Sequence, residues 1–352
     1  MYSTFFSRLP RLPADAVNGL AVTLIVVATL LPPTPAVAAT LDDVRDRGRV
    51  NCGVNIGLAG FAEANSLGEY RGFDVDLCRA VAVAALNDAS AVEYVPLSVT
   101  DRFKALQDGR IDLLSRNTTW TLQNDALHGS FAGVSFFDGQ GFMVHKKSGI
   151  RSALELDNAP ICVAARTAAE HNVEDFFINS EIRYQPVFAK NESEVVRDYL
   201  AEKCVVYSAD YSALAAYRSS FDKPDAHVIL PEIISKEPHG PMVRQNDSVW
   251  ENVVRWTLNC MINAEEMGVD SSNVDTPQAT STPWKKHLLG LEGKAGEELG
   301  LDEDWCRRVI RDVGNYAESY ARHLGENTSL ELPRGINQLW TNGGMIYAPP
   351  IR

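Results

Sequence analysis

Two stretches lying far apart in the chain share one grammar, and that repetition limits the fold more than any other feature. Val92 to Leu97 predicts a strand, Thr100 can cap a helix running through Gln107, Asp108-Gly109 ends it, and Ile111 to Ser115 returns as a strand. Tyr184 to Phe188 is again strand-like. Asn191 or Ser193 can cap a helix from Glu194 to Lys203, whose residues Val195, Val196, Tyr199 and Leu200 form one apolar face, and Cys204 to Tyr207 is again a strand. Each stretch is expected to be a right-handed β-α-β unit. Each second strand empties into a polar, hydroxyl-rich loop, Arg116-Asn117-Thr118-Thr119-Trp120-Thr121 in one case and Ser208-Ala209-Asp210-Tyr211-Ser212 in the other. Ligands of open α/β sheets sit at the carboxyl ends of strands, so the expectation is an α/β chain with two lobes facing each other across a cleft.

Around this frame, Leu41 to Gly48 reads as a short helix. Val50 to Asn55 reads as a strand running into the glycine-rich loop Gly57-Leu58-Ala59-Gly60-Phe61. Gly72-Phe73-Asp74-Val75-Asp76 opens an Ala/Val/Leu-rich helix to about Leu86, with Asp74 as the expected N-cap and Asp76 as first-turn negative charge. The connections between lobes are expected near 144 to 150 and near 235 to 243, where residues that end regular structure gather. The domain expectation is a leader over 1–39, lobe 1 over 40–147 plus 240–352 with a C-terminal helical extension, and lobe 2 over 148–239. Helical patterns dominate late in the chain, over Val249 to Met267, Trp284 to Leu289 and Asp302 to Leu324.

The first 39 residues carry Arg8 and Arg11, an apolar run from Leu20 to Leu31, and small residues from Ala36 to Ala39, the three-part layout of a secretory signal peptide. Without them the chain holds 31 basic and 45 acidic side chains, a net charge of -14 that disfavours nucleic acid and anionic lipid as partners. Six cysteines, all after the leader, fit an oxidising compartment. Their placement in consecutive predicted elements suggests pairing of neighbours, Cys52 with Cys78, Cys162 with Cys204, and Cys260 with Cys306, although six cysteines allow 15 connectivities. No C-x-x-C and no H-E-x-x-H occurs, so neither a metal site nor a cofactor is expected.

Catalytic signatures are missing as well: no G-x-S-x-G elbow, P-loop or G-x-G-x-x-G appears. Binding a free amino acid instead demands a cationic or amide clamp for its carboxylate and a carboxylate for its ammonium. Asp210 is the candidate acceptor, with capping of the helix from Ser212 to Tyr217 as an equally weighted role. Phe61 is a candidate stacking ring, with anchoring of its loop as the alternative.

The segment Gly72 to Leu77 with its following helix resembles the signature of polar amino-acid solute-binding proteins. Val54 to Asp76, Asn117 to Thr121, Asp138 to Val144, Glu237 to Arg244, Trp256 to Asp275 and the tail Trp340 to Pro350 resemble its general L-amino-acid-binding subfamily. The resemblance implies a periplasmic-binding-protein fold, two α/β lobes joined by two hinge strands. It further implies a monomeric receptor that closes on an amino acid or related small zwitterion in the periplasm and delivers it to an inner-membrane ABC permease, without catalysis. A dehydratase-like enzyme on the same fold, or a sensor for another ligand, is the alternative. The family's ammonium acceptor falls on Asp210, its first-loop aromatic on Phe61, and its hydroxyl loop on Asn117, Thr118, Thr119, Trp120 and Thr121.

Two departures from that pattern stand out. Asn124 occupies the position of the family's carboxylate-clamping arginine, and a neutral amide cannot replace a bidentate guanidinium. The family's Gly-Thr-Thr loop appears as Arg166-Thr167-Ala168-Ala169-Glu170. Arg166 is therefore expected to reach into the cleft and take over anion binding, with Thr167 beside it; a solvated surface arginine is the alternative.

Overall fold

The computed structural model describes residues 40–352, and the expected leader lies outside them. The repeated grammar becomes two five-stranded mixed sheets on one plan. In the first, β1 (Val50–Asn55) runs parallel between β4 (Val92–Leu97) and β5 (Leu113–Leu114), and the short strands β14 (Met242–Val243) and β6 (Ser130–Phe131) extend the sheet antiparallel beyond β5. The second places β9 (Ala159–Ala164) parallel between β10 (Tyr184–Ala189) and β11 (Val206–Asp210), followed by the antiparallel strands β8 (Gln140–His145) and β12 (His227–Ile229). The two strands of each predicted unit thus flank an earlier strand rather than each other. Central strands of this kind are covered on both faces: five of the six residues of β1 are buried. A small hairpin, β2 (Glu63–Ala64) with β3 (Tyr70–Arg71), decorates the first sheet's leading loop.

Two segments cross between the sheets, β7 (Phe136–Asp138) and β13 (Glu237–His239), and they pair antiparallel with each other. The second crossing is the strand Glu237–His239. The first lies earlier than 144 to 150, because β8 is hydrogen-bonded into the second sheet and the polar run after it is only a 3-10 turn over Lys146–Ser148. The sequence places the apolar strand Gly141 to Val144 at the end of lobe 1, but its hydrogen-bond partners belong to the second sheet.

Around the first sheet pack α1 (Thr40–Arg47), α2 (Phe73–Leu86), α3 (Arg102–Gln107) and α4 (Leu122–Leu127), with α5 (Ala168–Asn179), α6 (Glu192–Leu200) and α7 (Tyr211–Ser220) around the second. The C-terminal part adds α8 (Ser248–Glu266), α9 (Pro283–Leu288), α10 (Ala295–Leu299), α11 (Trp305–Asp312) and α12 (Tyr316–His323). Trp250, Leu258 and Cys260 of α8, Trp305 and Val309 of α11, and Tyr316 and Tyr320 of α12 join β1 and α2 in the largest hydrophobic core. Each such large side chain removed from water contributes roughly 1.5–3 kcal/mol.

Two local expectations change for physical reasons. The long helix expected over Asp302 to Leu324 breaks at Gly314, whose φ of +103° no helix accepts, and Asn315 restarts it through a capping box with Glu318. Helix α2 is capped at Gly72, not Asp74: φ there is +139° and a Cβ would lie 2.1 Å from the Phe61 carbonyl oxygen. The Asp74 carboxylate is thereby released for another partner. Cys52–Cys78, Cys162–Cys204 and Cys260–Cys306 are disulfide-bonded, tying β1 to α2, β9 to the lead-in of β11, and α8 to α11.

Candidate functional site

The loops after β5 and β10 approach each other, and each brings one sign of charge. Arg116 follows β5 and is 2% exposed; its Nε donates to the Leu97 carbonyl (2.8 Å) while its Nη2 lies 3.5 Å from Glu192 Oε1, the first residue of α6 in the other half. Arg102, the first residue of α3, lays its guanidinium 4.6 Å from the Phe103 ring centroid, and its buried Nε has no hydrogen-bond partner among the described residues. Burial and the neighbouring Arg116 pull the Arg102 pKa down to about 9, with Glu192 and Asp210 pulling the other way. Burial also lowers that of Arg116, again opposed by Glu192. Two guanidiniums from the first sheet thus face two carboxylates from the second.

Asp210 ends β11, pairing in register with Gln140, and stands at the cap position of α7 without making a cap hydrogen bond. Asp138, on the hinge strand β7, does that work: its carboxylate accepts from the Ser212 backbone N–H and hydroxyl and from Gly139 N–H. Of the two roles open to Asp210, capping therefore belongs to another residue. Its nearest cation is His239 on the hinge strand β13, with Nε2 3.3 Å from Asp210 Oδ2. Asp138, Asp210 and His239 bring potential ligand atoms within 4.8 Å of one another.

The hydroxyl loop is organised by Asp74. Released from capping, its carboxylate accepts from Asn117 N–H (3.0 Å), and Asn117 Oδ1 accepts from Asn55 Nδ2 (3.1 Å). Asn117 has a φ of +28°. Burial raises the Asp74 pKa to about 6, with the Asn117 hydrogen bond the largest opposing influence. Thr118 is buried and donates to the Arg116 carbonyl; Thr119 bridges to His239 through its backbone. Trp120 stacks on Phe131 at 5.1 Å.

Other expected site residues have local work. Thr121 caps α4 by accepting from Asn124 N–H, and the Asn124 side chain donates back to the Thr119 carbonyl (2.9 Å), so both close their own turn. Phe61 is 1% exposed, edge-on to Phe73 and Phe136 in the main core, and is a structural ring. Arg166 is exposed, adopts a φ of +60° and makes no ion pair among the described residues; its backbone N–H is bonded to Glu170. The guanidiniums that stand near Glu192 and Asp210 are those of Arg102 and Arg116. Thr167 donates to the Ala164 carbonyl, closing the turn before α5.

Sequence reading passed over Arg102, Glu192, Asp138 and His239 as site residues. Arg116 and Glu192 had a usable signal, each being the charged residue at the carboxyl end of a strand or just past the following cap. His239 had only its position in a hinge segment.

Two sheets on one plan, two paired crossing strands, and oppositely charged loops across the gap define a protein that holds a small solute between two halves. The chain belongs to the bacterial extracellular solute-binding proteins, family 3, whose family model matches residues 50–269. It is 49% identical over 320 residues to the general L-amino acid-binding periplasmic protein AapJ of Rhizobium johnstonii, covering 90% of this chain and 94% of that one. It is 46% identical over 319 residues to the glutamate/glutamine/aspartate/asparagine-binding protein BztA of Rhodobacter capsulatus, again covering 90% and 94%. Among solved structures, an ABC transporter periplasmic binding protein from Brucella ovis with glutathione bound superposes with a TM-score of 0.87 at 47% identity, over 90% of this chain and all of that one.

Proposed function

We propose that the protein captures an amino acid or a related small zwitterion in the periplasm, in the cleft between the loops after β5 and β11, and passes it to an inner-membrane ABC permease. The observation that carries this reading is the charge arrangement: Arg102 and Arg116 on one wall, Glu192 and Asp210 on the other. A zwitterion's carboxylate and ammonium fit that polarity, the carboxylate to the guanidiniums and the ammonium to Asp210. Asn117, Thr118 and Thr119 supply neutral donors between them. Because a solute touching both walls is fully contacted only when they approach, differential contact drives closure. Arg116 takes the anion-binding role first expected of Arg166.

Thermal unfolding of residues 40–352, stripped of bound solute, tests the reading with each common L-amino acid and with glutathione, which carries the same ammonium-carboxylate head. A ligand at ~100 times its dissociation constant adds about 2.7 kcal/mol, a shift of several degrees. Absence of a shift with every compound sinks the proposal.

A further inference from the structure

The carboxylate assigned above to a solute's ammonium already faces a cation belonging to the protein. His239 is 2% exposed, stacked against Phe136 at 6.1 Å, and held by its own backbone, whose carbonyl accepts from Ser135 N–H. Its Nε2 points at Asp210 Oδ2 at 3.3 Å, off the line of a good hydrogen bond, and neither ring nitrogen has an aligned partner among the described residues. We propose that His239 is a specificity-determining residue: seated against one oxygen of Asp210 as a built-in counter-cation, it weakens the protein's preference for solutes bearing an α-ammonium over their des-amino counterparts.

The inference rests on the reading of Asp210 given above. Two cations sharing one carboxylate each gain less than one alone, because the second meets a charge already largely neutralised and is repelled by the first. Every acidic group around the ring favours its charged form: Asp74 at the start of α2, Asp138 on β7, Asp210 at the end of β11, and Glu237 on its own strand. Burial works against that charge, but Asp210 chiefly, then Asp138 and Glu237, carry the His239 pKa up to about 9. At neutral pH the ring is a cation. The side chain is fixed on the strand pair that joins the two halves, so it does not leave with the solvent when a solute enters.

The test is calorimetric titration at pH 7 with L-glutamate and with the matching 2-hydroxy acid, using the wild-type chain from residue 40, His239→Leu and His239→Gln. The ratio of the two dissociation constants is the readout. Wild type is expected to separate them by less than about tenfold, and both variants to widen the ratio a further ~10-fold through tighter glutamate binding. Glutamine keeps a polar side chain without charge, so it carries the test where leucine disturbs the fold, which near-UV circular dichroism reports. An unchanged ratio in folded variants overturns the proposal, as does loss of glutamate binding in both, which would make His239 a support of Asp210. Stoichiometric Zn²⁺ binding by wild type that both variants lose also overturns it, since the cluster would then be a metal site. Binding of neither compound by any of the three proteins overturns this proposal together with the reading of Asp210.

Discussion

Two clusters that each set carboxylate against histidine do different work. Asp76 on α2 is 1% exposed, and a single oxygen, Oδ2, takes the Ser319 hydroxyl (2.8 Å), Arg322 Nη2 (2.5 Å) and His323 Nε2 (3.0 Å), with Arg79 at 3.7 Å from the other. Burial alone would raise its pKa, but His323 and Arg322 hold it below the usual carboxylate value. This cluster pins α12 to α2 and lines an open crevice of about 660 Å³ together with Ser219 and Ser220. The second cluster, Asp138, Asp210 and His239, has more negative charge than its own cation neutralises, and a histidine with no aligned hydrogen bond among the described residues. A saturated buried charge is a strut, whereas an under-saturated one leaves a valence for something else to fill.

Substituting the two aspartates separates these roles. Asp76→Ala leaves His323 and the half-exposed Arg322 without their shared carboxylate. Its stability in urea is expected to fall by about 1–3 kcal/mol, with the affinity of the remaining folded protein for its solute moved less than about twofold. Asp210→Asn should act first on the solute. Affinity is expected to drop by about 2–5 kcal/mol, roughly 30-fold or more by calorimetry, and stability at neutral pH should fall with it, because His239 loses the carboxylate that chiefly raises its pKa. If Asp76→Ala costs affinity and leaves stability alone, the strut reading is wrong.

The clusters also titrate with opposite signs. The folded-state pKa of Asp76 is depressed, so its stabilisation is present above its usual value of 3.8 and is lost as pH falls through the lower folded value. That of His239 is raised from 6.5 to about 9, so its contribution is fully present below 6.5 and is lost as pH rises through about 9. Asp138 is lifted from 3.8 to about 6, chiefly by burial, which also makes the folded state retain a proton and lowers stability as pH climbs between those values. Unfolding free energy measured from pH 6.5 to 9.5 is expected to decline by an amount on the order of 1–3 kcal/mol in wild type, and this alkaline limb should flatten in His239→Leu. An alkaline limb of equal depth in the variant would mean that another group titrates there.

The strand–helix–strand grammar was legible because periodicity and caps are local. Asn191, for instance, caps α6 as its sequence suggests, accepting from Glu194 N–H. What stayed hidden depends on distance in the chain. Gly141 to Val144 is an apolar strand whichever sheet it joins, and only its pairing with Val206 to Ala209 assigns it to the second half. Asp74 looked like a cap until the close approach of Phe61 moved the cap to Gly72. Arg102 lies 90 residues before Glu192 and 108 before Asp210, so their confrontation across the cleft leaves no trace in spacing. Phe61 illustrates the converse: an aromatic ring in a glycine-rich loop near a binding region is, in this chain, part of the core.

The smallest expected effect concerns the arginine that drew most notice in the sequence. Arg166 stands at the carboxyl end of β9, between the strands whose loops carry Glu192 and Asp210, so its position alone suits a cleft residue. Its side chain is nonetheless exposed and without an ion partner among the described residues, and exposed charges of this kind change stability or binding by no more than about 0.5 kcal/mol when removed. Arg166→Ala is therefore expected to leave solute affinity within about twofold of wild type, as read by the same calorimetry that separates the aspartates. The backbone gives a second reason to expect little loss: Arg166 holds a φ of +60°, so Arg166→Gly should relieve strain and leave the unfolding midpoint equal or slightly higher. A tenfold loss of affinity in both variants would show that the loop swings inward when the solute binds, and would return anion binding to the second wall, where the carboxylates stand.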